Sequence, residues 1–232
     1  LHFPLTLRKI LKNIKKNNIE ILHLNYEGLF LYGLFIKFLT NTKIIIHMRT
    51  LLPYKNYFSS IIIFLISKIC ADYVLFISKN ENKRYLKSGN YKKIPGKILL
   101  NIFNSKKIIR KNYNKKKYTI TYLGNISYNK GVDRLIDLAK YFKDQKNNDF
   151  LIRVYGVARD SKIFYENLLK NKKHLKLDNI EFKNHTQDIT KILLDSFLLI
   201  RPSRDNDPWG RDVIEAVTLG LPVIATGTFN EI

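Results

Sequence analysis

The chain has 232 residues, 45% hydrophobic and 12% aromatic, with 41 Lys and Arg against 19 Asp and Glu for a formal net charge of +22. That apolar content excludes a disordered chain and suffices for one large or two medium globular cores. The single cysteine, Cys70, excludes an internal disulfide framework and fits a reducing compartment, and the five histidines (His2, His23, His47, His174, His185) lack metal-ligand spacing. The charge is uneven: residues 1–108 hold 19 Lys and Arg to 4 Asp and Glu, whereas residues 109–232 hold 22 to 15. Lys, Asn and Ile dominate the composition, as the codon bias of an AT-rich genome produces. A basic surface still favours anionic membranes or nucleic acid.

In chain order, the first pattern is Leu7 to Lys16, a basic amphipathic helix with Leu7, Leu11 and Ile14 on one face. It reads either as a sheet-covering helix with a solvated lysine face, which the pattern favours, or as a segment that docks on an anionic membrane. Short apolar strands are expected at Ile19–Leu24, Lys43–Met48, Tyr73–Ile77, Lys97–Leu100, Thr119–Leu123, Phe150–Tyr155, Asn179–Phe182, Phe197–Ile200 and Pro222–Ala225. Helical periodicity fills most of the intervals, as in Val132, Leu135, Ile136, Leu138 and Ala139. Such alternation predicts an α/β fold of parallel sheets covered on both faces. Two apolar stretches, Gly28–Leu39 and Ser59–Ser67 running on toward Cys70, fall short of the roughly 20 apolar residues that a membrane span needs, so both read as buried helices.

Residues 101–117 break the rhythm with a polar, cationic, aperiodic run. The expected organisation is therefore a Rossmann-like domain at 1–108, a linker at 109–117 and a second Rossmann-like domain at 118–232, with a ligand in the cleft between them. The chain begins at Leu1, carries no signal-peptide pattern, and ends at Ile232 directly after a strand. It is read as a fragment, with both domains incomplete.

Three places bring chemistry-bearing side chains to strand ends. His47 and Arg49 end the apolar strand Ile44-Ile45-Ile46, and His23 is a weaker candidate of the same kind. Gly124-Asn125 through Lys130-Gly131 joins a strand to a helix and sets an ammonium beside free backbone N–H groups, an arrangement suited to a diphosphate. Gly156, at the end of the next strand, serves equally well as a plain turn. Near the end, Arg201-Pro202-Ser203-Arg204-Asp205-Asn206-Asp207-Pro208-Trp209-Gly210-Arg211-Asp212-Val213-Ile214-Glu215-Ala216 places two carboxylates, Asp207 and Glu215, across a turn into a helix. The helix start offers N–H groups and a positive dipole end to an anion, and the acids can hold sugar or ribose hydroxyls.

The run Asp207-Pro208-Trp209-Gly210 to Glu215-Ala216, followed by Gly220-Leu221-Pro222-Val223-Ile224-Ala225, resembles the E-x7-E motif of retaining glycosyltransferases of family 4, enzymes of GT-B fold. Lys130-Gly131 resembles the same family's diphosphate grip, and Ala71–Ser78 and Lys97–Asn104 resemble landmarks that close its N-terminal domain. The resemblance implies transfer of a sugar from an NDP-sugar to a glycan or lipid-linked acceptor, with retention at the anomeric carbon, in cell-surface polysaccharide or lipopolysaccharide synthesis. It implies Asp207 at the donor sugar, Glu215 at the ribose hydroxyls, Lys130 at the diphosphate and His47 beside the sugar. Gly124, Asn125, Trp209, Gly210 and Arg211 complete the donor site, and Arg49 would contact acceptor or phosphate.

Two positions depart from the family pattern. Asp207 is one methylene shorter than the usual Glu, and Asn125 stands where Arg is usual, leaving Arg204 or Arg211 as the nearby cations that could compensate. No cofactor and no metal are expected, since positive groups take the metal's place. The expected location is cytoplasmic, peripheral on the inner face of the membrane. One alternative is a GT-B nucleotide-sugar 2-epimerase, which would need acids and a His at the sugar's C2. Another is a basic protein binding nucleic acid or a membrane surface without catalysis. Nucleic acid is disfavoured because Phe30, Phe35, Phe64 and Phe76 sit in apolar runs and are not interleaved with cations.

Overall fold

A computed structural model of the chain describes residues 2–49, 65–79, 81–83, 95–100, 118–158, 162–186, 188–204 and 210–226. The described residues form two compact units, one holding those up to Leu100 and the other those from Tyr118 onward. The linker expected at 109–117 lies outside the described residues.

The first unit runs α1 (His2–Lys16), β1 (Ile21–Leu24), a 3₁₀ turn (Glu27–Leu29), α2 (Phe30–Leu39), β2 (Lys43–Met48), a helical stretch at 65–70, β3 (Tyr73–Phe76) and β4 (Gly96–Ile98). Its four strands are all parallel, in the order β1-β2-β3-β4. The register sets Ile46 beside Leu24 and Val74, and Ile44 and Ile46, on one face of β2, are wholly buried while His47 is buried on the other. Ile14 of α1, Ile36 of α2 and Cys70 close over this core. The strand expected from Ile19 starts only at Ile21, because the Ile19 N–H instead closes α1 onto Ile14 O at 3.0 Å.

The second unit runs β5 (Tyr118–Leu123), α3 (Asp133–Asp144), β6 (Phe150–Tyr155), α4 (Lys162–His174), β7 (Ile180–Lys183), α5 (Ile189–Leu194), β8 (Leu198–Arg201), α6 (Arg211–Thr218) and β9 (Val223–Ala225). All nine expected strands are thus present, with ends shifted by a residue or two. The order β7-β6-β5-β8-β9, again all parallel, means the chain leaves β5 in one direction and returns to its other side at β8. The C-terminal ends of β5 and β8 therefore flank a topological switch point, where an open α/β sheet takes its ligand.

Ile120, Tyr122, Ile152 and Val154 pack under α3 and α4 on one face, and Leu199 packs under α5 and α6 with Ala216 and Leu193 on the other. Four helices end the same way: Asn18 (φ 47°), Lys146 (φ 52°), Lys176 (φ 48°) and Gly220 (φ 72°) turn left-handed. Ile19, Asn147, Leu177 and Leu221 then donate back to Ile14, Phe142, Lys172 and Ala216. This closure satisfies the last carbonyls of each helix and fixes the exit into the next strand.

Candidate functional site

The switch point is built from two loops held hard against each other. After β5, Gly124 (φ 155°) turns the chain, its N–H donating to Tyr155 O at 3.1 Å, and Tyr122 Oη donates to Asn125 O at 2.7 Å. The loop then runs through Tyr128 and Lys130 to Gly131, whose φ of 69° and close approach to the β8 loop both demand glycine. A Cβ there would lie 1.8 Å from Pro202 O. Arg204 N donates to Asn129 O at 2.8 Å, and its guanidinium grips Asp133 at 2.6 and 2.7 Å while lying 4.1 Å over the Tyr128 ring. From α3, Arg134 Nη1 donates to Pro202 O at 3.1 Å and to Thr226 Oγ1 at 3.3 Å. Gly124, Asn125, Lys130, Gly210, Arg211 and Glu215 thus come from the loops and helix that surround one switch point. Arg204, one of the two cations that could compensate for Asn125, pairs with Asp133 and fastens the two loops together.

On the β8 side, Gly210 precedes α6 and its carbonyl accepts the N–H groups of Val213 and Ile214 at 3.1 and 3.2 Å. The Arg201 guanidinium fills the space a Gly210 side chain would need, with Nη1 at 1.3 Å from that ideal Cβ. The same Nη1 donates to Asp212 Oδ1 at 3.1 Å. Arg201 and Asp212 are nearly buried, at 11% and 19% side-chain exposure, so this pair fixes how α6 begins. Burial pushes the Glu215 carboxyl up, opposed by Arg211 and reinforced by Asp212. Asp207 and Trp209 lie outside the described residues. Gly156 serves the fold: a Cβ there would meet Gly124 O at 1.9 Å.

Sequence reasoning missed Arg201 and Ser203. Ser203 Oγ is buried and has no hydrogen-bond partner among the described residues. Arg201 left one signal, a charged residue closing an otherwise apolar strand.

In the first unit, His47 is 4% exposed, and neither ring nitrogen has a partner among the described residues. The His23 ring is stacked on it at 5.5 Å and 21°. Burial, then Arg49, then His23 lower its pKa to about 4, so the ring is a neutral imidazole with one donor and one acceptor. Buried polar atoms normally find partners, so this orphaned pair at a strand end stands out among the described residues. Arg49 donates from its backbone N–H to Glu27 Oε2 at 2.9 Å and from Nη1 to Asn25 Oδ1 at 3.0 Å.

The His47 environment carries a pH signature. Below about pH 6.5 an unfolded His takes up a proton that the native ring refuses until about pH 4, so stability falls as pH drops through that window. Urea unfolding at pH 7.5 and 4.5 should show the wild type losing about 2 kcal/mol more than His47→Gln over this interval. Equal losses would mean the native ring titrates normally.

Among the described residues no group of His, Cys, Asp or Glu could hold a metal ion, and no helix is long and apolar enough to cross a membrane.

Residues 104–230, just over half the chain, match the family described as Glycosyl transferases group 1. No curated protein matches the sequence. Among solved structures, the fold resembles HepE of Anabaena in complex with UDP and glucose (TM-score 0.79, 18% identity), covering 94% of this chain and 61% of that one. It also resembles S. aureus TarM in complex with fondaparinux, α-GlcNAc-glycerol and UDP (TM-score 0.68, 18% identity), covering 88% and 41%. A third is the lipopolysaccharide outer core galactosyltransferase WaaB (TM-score 0.65, 16% identity), covering 96% and 61%. The fold is that of GT-B glycosyltransferases, and the chain spans 61% of the HepE chain.

Proposed function

The chain belongs to the glycosyl transferases group 1 family, and on that premise we propose that it moves a sugar from a UDP-sugar to a glycan or lipid-linked saccharide with retention of anomeric configuration. The observation that supports this reading is the β5/β8 switch point, where Gly131 and the Arg204–Asp133 pair lock together the two loops that follow those strands. HepE with UDP and glucose, and the activity named for WaaB, support a uridine donor and a saccharide acceptor.

On this reading the donor diphosphate lies at the start of α6, where the positive end of the helix dipole and the Lys130 ammonium meet it. Glu215 accepts from the ribose hydroxyls, and Asp207 with Trp209 selects the sugar. Retention follows from front-side displacement. The bond from the anomeric carbon to the diphosphate oxygen breaks as the acceptor oxygen bonds on the same face, and the departing diphosphate takes the acceptor's proton. Negative charge grows on that diphosphate in the transition state, so groups fixed beforehand by Arg201–Asp212 and by Gly131 act where they lower the barrier. Lys130, Arg211 and backbone amides would counter that negative charge in the place of a metal. The neutral His47 imidazole would exchange hydrogen bonds with a sugar hydroxyl, and Arg49 would meet acceptor or phosphate. The place of work is the inner face of a membrane.

Calorimetric titration with UDP, GDP and ADP tests the donor site. UDP should bind at least about tenfold more tightly than the other two, a difference of about 1.4 kcal/mol. A folded protein that binds none of the three would remove the basis for the reading. With a donor in hand, the anomeric coupling of the product by NMR should report retention.

A further inference from the structure

Strand β8 is apolar through Leu198-Leu199-Ile200 and then ends on Arg201. A guanidinium stays charged inside a protein, so one that is only 11% exposed needs an anion beside it. Asp212, 11 residues on and in the first turn of α6, is that anion, with Oδ1 3.1 Å from Nη1 and its own side chain 19% exposed. Gly210 is what admits the guanidinium. Its φ of −80° is open to any residue, but an ideal Cβ there would stand 1.3 Å from Arg201 Nη1 and 2.6 Å from Cζ. The glycine is thus required by a contact and not by the backbone.

Asp212 carries the wrong charge for its place. A carboxylate in a first helical turn is itself drawn to the positive end of the helix, where the reading above sets the donor diphosphate. Left alone it would compete with the diphosphate for that end and repel it through a partly buried, weakly screened space. Its field extends along α6: burial raises the pKa of Glu215, one turn on, Arg211 opposes the rise and Asp212 adds to it. We propose that Arg201 is a positioning residue of the donor site: by holding and neutralising the Asp212 carboxylate, it keeps the start of α6 open to the donor diphosphate. Arg201 acts through Asp212 and not by touching the nucleotide. The proposal rests on the donor site described under Proposed function, and it adds an electrostatic role to a pair that otherwise only anchors α6 on β8.

The test is calorimetric titration of the protein and its variants with uridine, UMP and UDP. Arg201→Met leaves Asp212 charged, so UDP should bind about tenfold or more less tightly, UMP should lose less and uridine should keep its affinity. Asp212→Asn should bind UDP at least as tightly as the wild type. The double variant Arg201→Met/Asp212→Asn should return to within about threefold of the wild type, as should Arg201→Lys, which keeps the charge. Were Arg201 a purely mechanical anchor, its loss would shift Glu215 along with the helix. Uridine would then weaken as much as UDP, and the double variant would bind no better than Arg201→Met; either result overturns the proposal. Should Arg201→Met fail to fold, Asp212→Asn decides by itself, because weaker UDP binding than in the wild type contradicts the role given to Arg201. If the wild type binds no UDP, the donor site falls and the proposal with it. If the wild type binds UDP and Arg201→Met binds it equally well, the donor site stands and the proposal alone falls.

Discussion

Gly131→Ala should cost about 3–5 kcal/mol of stability, the largest effect expected of any single methyl group in the second unit. Two terms add. A left-handed φ of 69° costs an alanine about 1 kcal/mol or more. The second is steric: the new Cβ would stand 1.8 Å from Pro202 O and 2.7 Å from Pro202 C, and both are backbone atoms that cannot swing aside. Relief requires the β5 and β8 loops to part, which pulls Arg204 N from Asn129 O and strains the Arg204–Asp133 pair. Gly220 provides the control. It has nearly the same φ, 72°, with nothing within 4 Å of its ideal Cβ, so Gly220→Ala should lose only the conformational part, about 1 kcal/mol. Urea denaturation of the two variants separates the terms by subtraction. If Gly131→Ala proves no worse than Gly220→Ala, the loops are not locked together and the proposed preorganisation of Lys130 fails with them.

This contrast also marks where the sequence stops being informative. Strand–helix alternation was legible because its signal is local. Ile44-Ile45-Ile46 and Phe150-Leu151-Ile152 can be little other than buried strands, and the turns at Gly124, Gly131 and Gly220 punctuate them. The loop that carries Lys130 and the helix that carries Glu215 were legible for the same reason, being short stretches bounded by recognisable elements. Pairings across the chain were not. Arg204 lies 71 residues from Asp133, and in the sequence it was as free to serve a phosphate as to serve the fold. Arg201 could be seen to close an apolar strand, but nothing local ties its guanidinium to Gly210 and Asp212 across the intervening loop. The orphaned nitrogens of His47 depend on what β1 and the 3₁₀ turn leave beside it, which is a tertiary property. Helix α2 was expected to be buried from its apolarity, and its inner side is. Hydrophobic periodicity says which residues need cover but not what supplies it, and the exposed Phe38 is the result.

The division of labour proposed between Lys130 and Glu215 predicts a kinetic split. Lys130 would act on a diphosphate whose charge is larger in the transition state than in the bound donor, so its loss should fall mainly on kcat. Lys130→Ala should lower kcat by about 10²–10³-fold while the KM for the donor rises only a few-fold. Lys130→Arg, keeping the charge on a longer, forked group, should recover part of kcat. Glu215 would hold ribose hydroxyls far from the breaking bond, an interaction equally strong before and during reaction. Glu215→Ala should therefore weaken UDP binding and raise KM by about tenfold or more with kcat nearly intact, since uniform binding leaves the barrier from the bound state unchanged. Glu215 also sits where burial raises its pKa, so Glu215→Gln, which keeps an acceptor oxygen without the charge, should bind UDP better than the alanine variant. Steady-state kinetics with UDP titrations of the same four proteins read all of these at once. If Lys130→Ala weakens UDP binding and raises KM while sparing kcat, the ammonium serves the ground state and the leaving-group role passes to Arg211 and the α6 amides. If neither residue affects binding or turnover, the donor does not lie at the β5/β8 switch point.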